Sequence, residues 1–191
     1  MAPRLDKKGG AQHRDELLAN LKGRVIEVGA GTGANFPHYP PTVDEVVAVE
    51  PEPYLRERAK QAAESAPVKV RVVAGDADDL PVGDGEFDAG VASLVLCSVP
   101  DQDHALAELH RVIKQVGALH FYEHVAASGP KGRVHRRVDP IYTRVSGGCH
   151  LTRDTTAAIE RSGFDIQHSR RFPFPPGLFA LPHVIGVARR N

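Results

Sequence analysis

Short β-branched runs alternate with helical stretches along this chain, and the first run ends in a cluster of glycines. That alternation is the pattern of βαβ units, which close into a parallel sheet covered by helices on both faces. The strands are predicted at Arg24 to Val28, Glu45 to Glu50, Val68 to Ala74, Phe87 to Ala92 and Ala118 to Val125, with two more near Phe164 to His168 and His183 to Ala188. A charged, alanine-rich helix is expected from Glu52 to Glu64. Another is expected from Asp101, which is placed to cap it, with Ala105, Leu106, Leu109 and Ile113 on one face. Ala126 to Leu151 reads as a less regular segment, and Thr152 as the cap of a helix that stops before Gly163. The expected architecture is a three-layer α/β/α sandwich on a seven-stranded, mostly parallel sheet with an antiparallel last strand.

Length and charge narrow the class. With 191 residues the chain is expected to form one domain, residues 11–191, after a flexible N-terminal tail, residues 1–10. Lys plus Arg (24) balances Asp plus Glu (24), so no global field draws it to nucleic acid or to an anionic membrane. The longest uncharged strand-like stretch, Ala89 to Pro100, is too short to span a bilayer, and the N-terminus lacks a secretory core. Two cysteines make no disulfide framework. These features predict a cytoplasmic protein, monomeric or homodimeric, with neither a nucleic-acid nor a membrane partner. The basic stretch Lys131 to Arg144 reads as a solvated face, since Tyr142 is its one aromatic.

In doubly wound sheets the ligand binds at the carboxyl ends of the strands, where strand order reverses. The loop after the first strand reads Glu27-Val-Gly29-Ala-Gly31-Thr-Gly33-Ala-Asn35. Glycines there let the backbone turn and approach a ligand, but Gly29, Gly31 and Ala34 also fit the loose dinucleotide fingerprint. Glu27 discriminates. A carboxylate near the end of a central strand would repel a pyrophosphate, whereas it would favour a ligand with an ammonium and a sulfonium group. S-adenosylmethionine has both and no phosphate. Glu50, ending the second strand, is placed to accept from both ribose hydroxyls. Asp76, in Gly75 to Pro81 after the third strand, is placed to accept from an adenine amino group.

Glu27 to Gly33, Glu50, Gly75 to Pro81, Phe87-Asp88 and Arg111 to Leu119 resemble the ordered motifs of class I S-adenosylmethionine-dependent methyltransferases, with Gln115-Val116-Gly117 where that family commonly has Pro-Gly-Gly. The resemblance runs from about Leu21 to the end and implies the Rossmann-like form of the sandwich. It implies S-adenosylmethionine as cofactor, S-adenosylhomocysteine as product and a small-molecule methyl acceptor. Leu94 to Val99, Glu123 to Ala127, Gly148 to Arg153 and Pro182-His183 with Gly186 are similar to a membrane-associated methyltransferase-like group that methylates alkyl thiols. That group carries a hydrophobic N-terminal anchor and this sequence shows none, so membrane association is not expected to carry over.

The candidate cofactor shell is therefore Glu27, Gly29, Ala30, Gly31, Gly33, Asn35 and Phe36 from the first loop, with Glu50 and Pro51 from the second. Asp76 and Ala77 come from the third, and Ser93 and Leu94 from the fourth. Among ten histidines, none has paired metal-ligand spacing, so no metal is expected. His120 reads as a satisfied interior residue. His124, at the carboxyl end of the fifth strand, and His150 are the candidates for assisting proton removal from the acceptor. The acceptor is expected to enter above strands four and five, under a lid from about Gly129 to His150. Two other classes remain open at this point: a nicotinamide-dependent oxidoreductase, and a non-catalytic cofactor-binding protein.

Overall fold

A computed structural model describes residues 9–177 and 180–191. Its seven-stranded sheet has the order β3-β2-β1-β4-β5-β7-β6. The strands are β1 (Gly23–Val28), β2 (Val43–Val49), β3 (Val70–Val73), β4 (Phe87–Ser93), β5 (Ile113–His124), β6 (Phe164–Phe174) and β7 (Leu181–Arg190). The first five run parallel, while β7 pairs antiparallel with both β5 and β6. Strand order reverses between β1 and β4, so their carboxyl ends open a crevice where the chain leaves to opposite sides.

Alternation along β1 builds two cores. Ile26 and Val28 face the side covered by α3 (Gln102–Val112) and α5 (Thr155–Arg161), where Leu106, Leu109, Ala158 and Ile159 are buried. Val25 faces the other side with Leu17 and Leu18 of α1 (Ala11–Leu18) and Ala59 of α2 (Pro53–Ala63). Caps follow their chemistry. Glu52 accepts from Leu55 N–H at the start of α2, and Asp101 accepts from His104 N–H at the start of α3.

Several expectations need correction. α1 has no clear sequence signature, because Ala11–Leu18 is short and only weakly amphipathic, yet Leu17 and Leu18 are buried and Gly10 at its N-cap is buried too. The flexible tail thus does not extend to Gly10, and its first eight residues lie outside the described ones. β5 begins at Ile113 rather than Ala118, directly after α3, with a register shift that turns at Val116, a non-glycine residue at φ 58°. Asp154, not Thr152, caps α5 by accepting from Ala157 N–H.

The largest difference is Ala126 to Leu151. It is not irregular: α4 spans Gly129–Val145. Pro140 and two glycines are breaker signals that hide the helical period. Its apolar residues Val134, Val138, Ile141 and Val145 recur at helical spacing but point to solvent, so no buried face announced it.

Candidate active site

A cleft of about 560 Å³ lies at the carboxyl ends of β1 to β4. That volume suits a nucleoside-sized ligand. Gly29 and Gly31 form one wall, Glu50, Pro51 and Leu55 the next, and residues 76–78 the third. Leu94, Val95, Ser98, Val99 and Pro100 close the side toward β4, and Gly147 reaches in from beyond α4.

The first wall needs its glycines. Gly29 has φ 63°, and a side chain there would collide with Val95 from the opposite wall. Gly31 has φ 58° and open space where a Cβ would stand, leaving its backbone exposed to a ligand. Its N–H donates to Glu50 Oε2 at 2.7 Å, and Glu52 N–H donates to Oε1 at 3.1 Å. Glu50 is thereby held in one rotamer while its remaining lone pairs face the cleft. Asp76 sits on a turn fixed from behind: Leu80 N–H donates to Glu108 Oε2 at 2.8 Å, and Arg111 clamps Glu108 and the Leu80 and Val82 carbonyls.

Glu27 plays a different part from its neighbours. Its carboxylate does not line the cleft. It is buried and accepts from Asn35 Nδ2 at 2.8 Å and Tyr39 Oη at 2.7 Å, and the buried Arg14 of α1 also acts on it electrostatically. Burial outweighs these partners and pushes its pKa up to about 7. The hydrogen-bond donors that a strand-end carboxylate requires are therefore supplied within the protein by Asn35 and Tyr39. Asn35 and Phe36 stand behind the loop with it: Phe36 is fully buried and packs where a side chain at Gly33 would sit. Ala30 and Ser93 likewise fall outside the lining residues.

The wall after β4 is organised by a residue that sequence reasoning passed over. Glu123, fully buried at the end of β5, accepts from the N–H groups of Val95 and Leu96 at 3.0 Å and of Cys97 at 3.2 Å. One side chain gathers three consecutive amides into a tight turn, a single-residue substitute for a helix cap. Burial still raises its pKa to about 7, against those three donors. Its place in the Glu123 to Ala127 motif was the available signal, but charge within a buried strand gives no hint of which amides it serves.

The segment after α4 lies against that turn. His150 N–H donates to Cys97 O at 2.8 Å, and Arg153 Nη1 donates to Leu96 O at 2.7 Å. His124 is buried beside it, with Nδ1 3.6 Å from Cys149 Sγ, while its Nε2 has no partner among the described residues. His150 Nδ1 meets Asp139 Oδ2 at 3.0 Å. Neither histidine lines the cleft itself. His120 is satisfied as an interior residue, with Nδ1 donating to Leu17 O at 2.7 Å. No group of three metal-ligating side chains occurs among the described residues.

The donor set tests the cofactor. Glu50, Asp76 and Asp78 line the cleft, and no Lys or Arg does so among the described residues. That lining disfavours a pyrophosphate and suits a phosphate-free nucleoside carrying positive charge. Strand order, glycine loop and acidic nucleoside cleft together define an enzyme of the Rossmann-like methyl-transfer class. A methyltransferase-domain family model matches residues 26–121. Human thiol S-methyltransferase TMT1A is 35% identical over 93% of this chain and 78% of its own length, and human TMT1B is 34% identical over 98% and 82%. Among solved structures, a methyltransferase of Bacillus halodurans superposes with a TM-score of 0.75 at 18% identity, covering 94% of this chain and 97% of its own. A geranyl diphosphate methyltransferase in complex with S-adenosylmethionine superposes with a TM-score of 0.77 at 15% identity, over 96% and 85%. The chain belongs to the class I S-adenosylmethionine-dependent methyltransferases, and its cofactor is S-adenosylmethionine. The nicotinamide reading is thereby set aside.

Proposed function

We propose that this methyltransferase acts on a small thiol. The observation that carries the reading is the 34–35% identity to the two human thiol S-methyltransferases, spread over nearly the whole chain rather than over the cofactor half alone. The chemistry agrees. A thiol with a pKa near 8.5 ionises readily, whereas an alcohol needs a strong base, and no such base lines the cleft. The bound cofactor supplies an electrophilic methyl group on a sulfonium.

What the chain does is hold and orient. Glu50 accepts from the ribose hydroxyls and Asp76 from the adenine amino group, with Leu55, Leu94 and Val99 as apolar walls. Glu123 keeps the turn after β4 in place and so sets the wall that faces the methyl. α4 and the segment behind it exclude water from the remaining opening, where the acceptor enters above β4 and β5. Positioning of this kind supplies most of the rate in an in-line displacement. Of the two histidines, we assign proton removal to His124, whose buried Nε2 has no partner among the described residues, while His150 is held by Asp139. No helix among the described residues is long and apolar enough to cross a membrane. The two free cysteines accord with a reducing, cytoplasmic setting.

The test is S-adenosylhomocysteine formation from a panel of matched small thiols, alcohols, phenols and amines. The expected result is turnover with apolar thiols well above the matching alcohols. Turnover with a phenol or amine and none with thiols contradicts the acceptor assignment, and cofactor binding without turnover on any acceptor favours a non-catalytic role.

A further inference from the structure

The two cysteines of this chain are 52 residues apart in sequence, yet the segment of Gly148 to His150 runs directly along Cys97 and Ser98. The backbone brings them together, because Cys97 O accepts from His150 N–H at 2.8 Å, which lays the peptide of Cys149 alongside Cys97. They differ in surroundings. Cys97 is buried in the turn held by Glu123, and its thiol is pushed well up by the Cys149 thiol and by burial. Cys149 is partly exposed, and His124 Nδ1 stands 3.6 Å from its sulfur. The neighbouring Cys97 thiol, with His124, outweighs burial and holds the Cys149 thiol well below its ordinary value. Glu123, which acts on Cys97, and Tyr142 of α4 are the other titratable groups beside this pair.

We propose that Cys149 and Cys97 form a thiol–disulfide exchange site that takes small-molecule disulfides, with Cys149 as the attacking sulfur and Cys97 as the resolving one. This activity is separate from methyl transfer and does not depend on the acceptor assignment.

The steps balance. The Cys149 thiolate attacks one sulfur of R–S–S–R, forming Cys149–S–S–R and releasing RS⁻. The released RS⁻ takes the proton of Cys97 and leaves as RSH; the Cys97 thiolate then attacks the Cys149 sulfur of the mixed disulfide, forming the Cys97–Cys149 disulfide and releasing the second RS⁻. The small disulfide is reduced by two electrons and the cysteine pair is oxidised. A partly exposed thiolate next to a buried protonated thiol is the arrangement that orders these steps, because only the thiolate attacks. His124 steadies the thiolate as a positioning residue. The resulting disulfide joins two walls of the cofactor cleft, since Val95 and Ser98 lie on one side and Gly147 on the other.

The full chain is incubated with oxidised glutathione and followed by intact mass and non-reducing peptide mapping. The wild type is expected to lose two hydrogens, with no lasting adduct, and to recover with dithiothreitol. Cys97→Ser is expected to stop as a glutathione adduct on Cys149, and Cys149→Ser to remain unmodified. Between pH 6 and 8 the alkylation rate of Cys149 is expected to change by less than about threefold, where an ordinary thiol of pKa near 8.5 gains roughly 80-fold. In His124→Ala that flat profile is expected to steepen. A wild type that retains a stable glutathione adduct overturns the proposal, as does first attack at Cys97. An ordinary pH dependence of Cys149 alkylation in the wild type overturns it without reference to any variant.

Discussion

The two halves of this enzyme solve the same problem by opposite means. Along β1 to β3 each ligand-facing group sits in the loop directly after its own strand: Glu50 is fixed by the amides of Gly31, in the loop after β1, and of Glu52, while the turn that carries Asp76 is braced from α3 by Glu108 and Arg111. From β4 onward the supports come from far along the chain. Glu123 holds the amides of residues 95–97, Arg153 holds Leu96 O, and His150 holds Cys97 O. The cofactor half is a set of strand-end loops, and the acceptor half is a turn suspended from β5 and from the segment after α4. Substitutions of cleft-lining groups in the first half should therefore act on cofactor affinity, and those in the second on the shape of the wall and on turnover.

Glu123→Ala should have the largest effect, because it strands three amides at once, two of them buried. We expect a loss of at least about 3 kcal/mol in stability, given roughly 1 kcal/mol or more for each unsatisfied group. Thermal unfolding checks it. Glu123→Gln keeps an acceptor oxygen for the Val95 and Leu96 amides and should retain a large part of that stability. Equal damage from both would mean that charge, not the amide turn, matters there.

Glu27 gives a test with a defined sign. Its carboxyl keeps its proton up to about pH 7 when folded, against an ordinary value of 4.5. Between those values the folded state holds more protons than the unfolded one, so this group's contribution falls as pH rises, by roughly 3 kcal/mol at most. Glu27→Gln has no such dependence. The melting temperature of Glu27→Gln relative to wild type should thus climb from pH 4.5 to 7 and level off above. A constant difference across that range would show that Glu27 titrates as an exposed carboxylate does.

Asp76→Ala should have the smallest effect of these, about 1 kcal/mol in cofactor affinity, the worth of a typical hydrogen bond, because apolar walls also hold the adenine. A loss larger than that of Glu50→Ala, measured by calorimetry, would reverse the assignment of ribose and adenine.

The same contrast explains what the sequence revealed. Gly29, Gly31, Glu50 and Asp76 were legible because loop, strand end and ligand group are adjacent in sequence, and all line the cleft. Glu27 was legible as an anomaly in an apolar strand, but its partners Asn35 and Tyr39 were not, since a buried carboxylate does not state whether a ligand or the protein satisfies it. In the second half, α4 was hidden by Pro140 and by an apolar stripe that faces outward, and α1 by its shortness. The Cys97–Cys149–His124 cluster joins three separate loops and strands, and no spacing rule brings such residues together.

Cofactor holding and acceptor handling should be separable in this enzyme. One calorimetric comparison tests it: the affinity for S-adenosylhomocysteine of wild type, Glu50→Ala and His124→Ala. Glu50→Ala should bind more weakly by about 1.5 to 3 kcal/mol, roughly 10- to 150-fold, the range for hydrogen bonds to a charged group. His124→Ala should bind within about twofold of wild type, although its turnover falls. If His124→Ala loses the product as severely as Glu50→Ala does, or if Glu50→Ala binds like wild type, the division between the two halves is wrong.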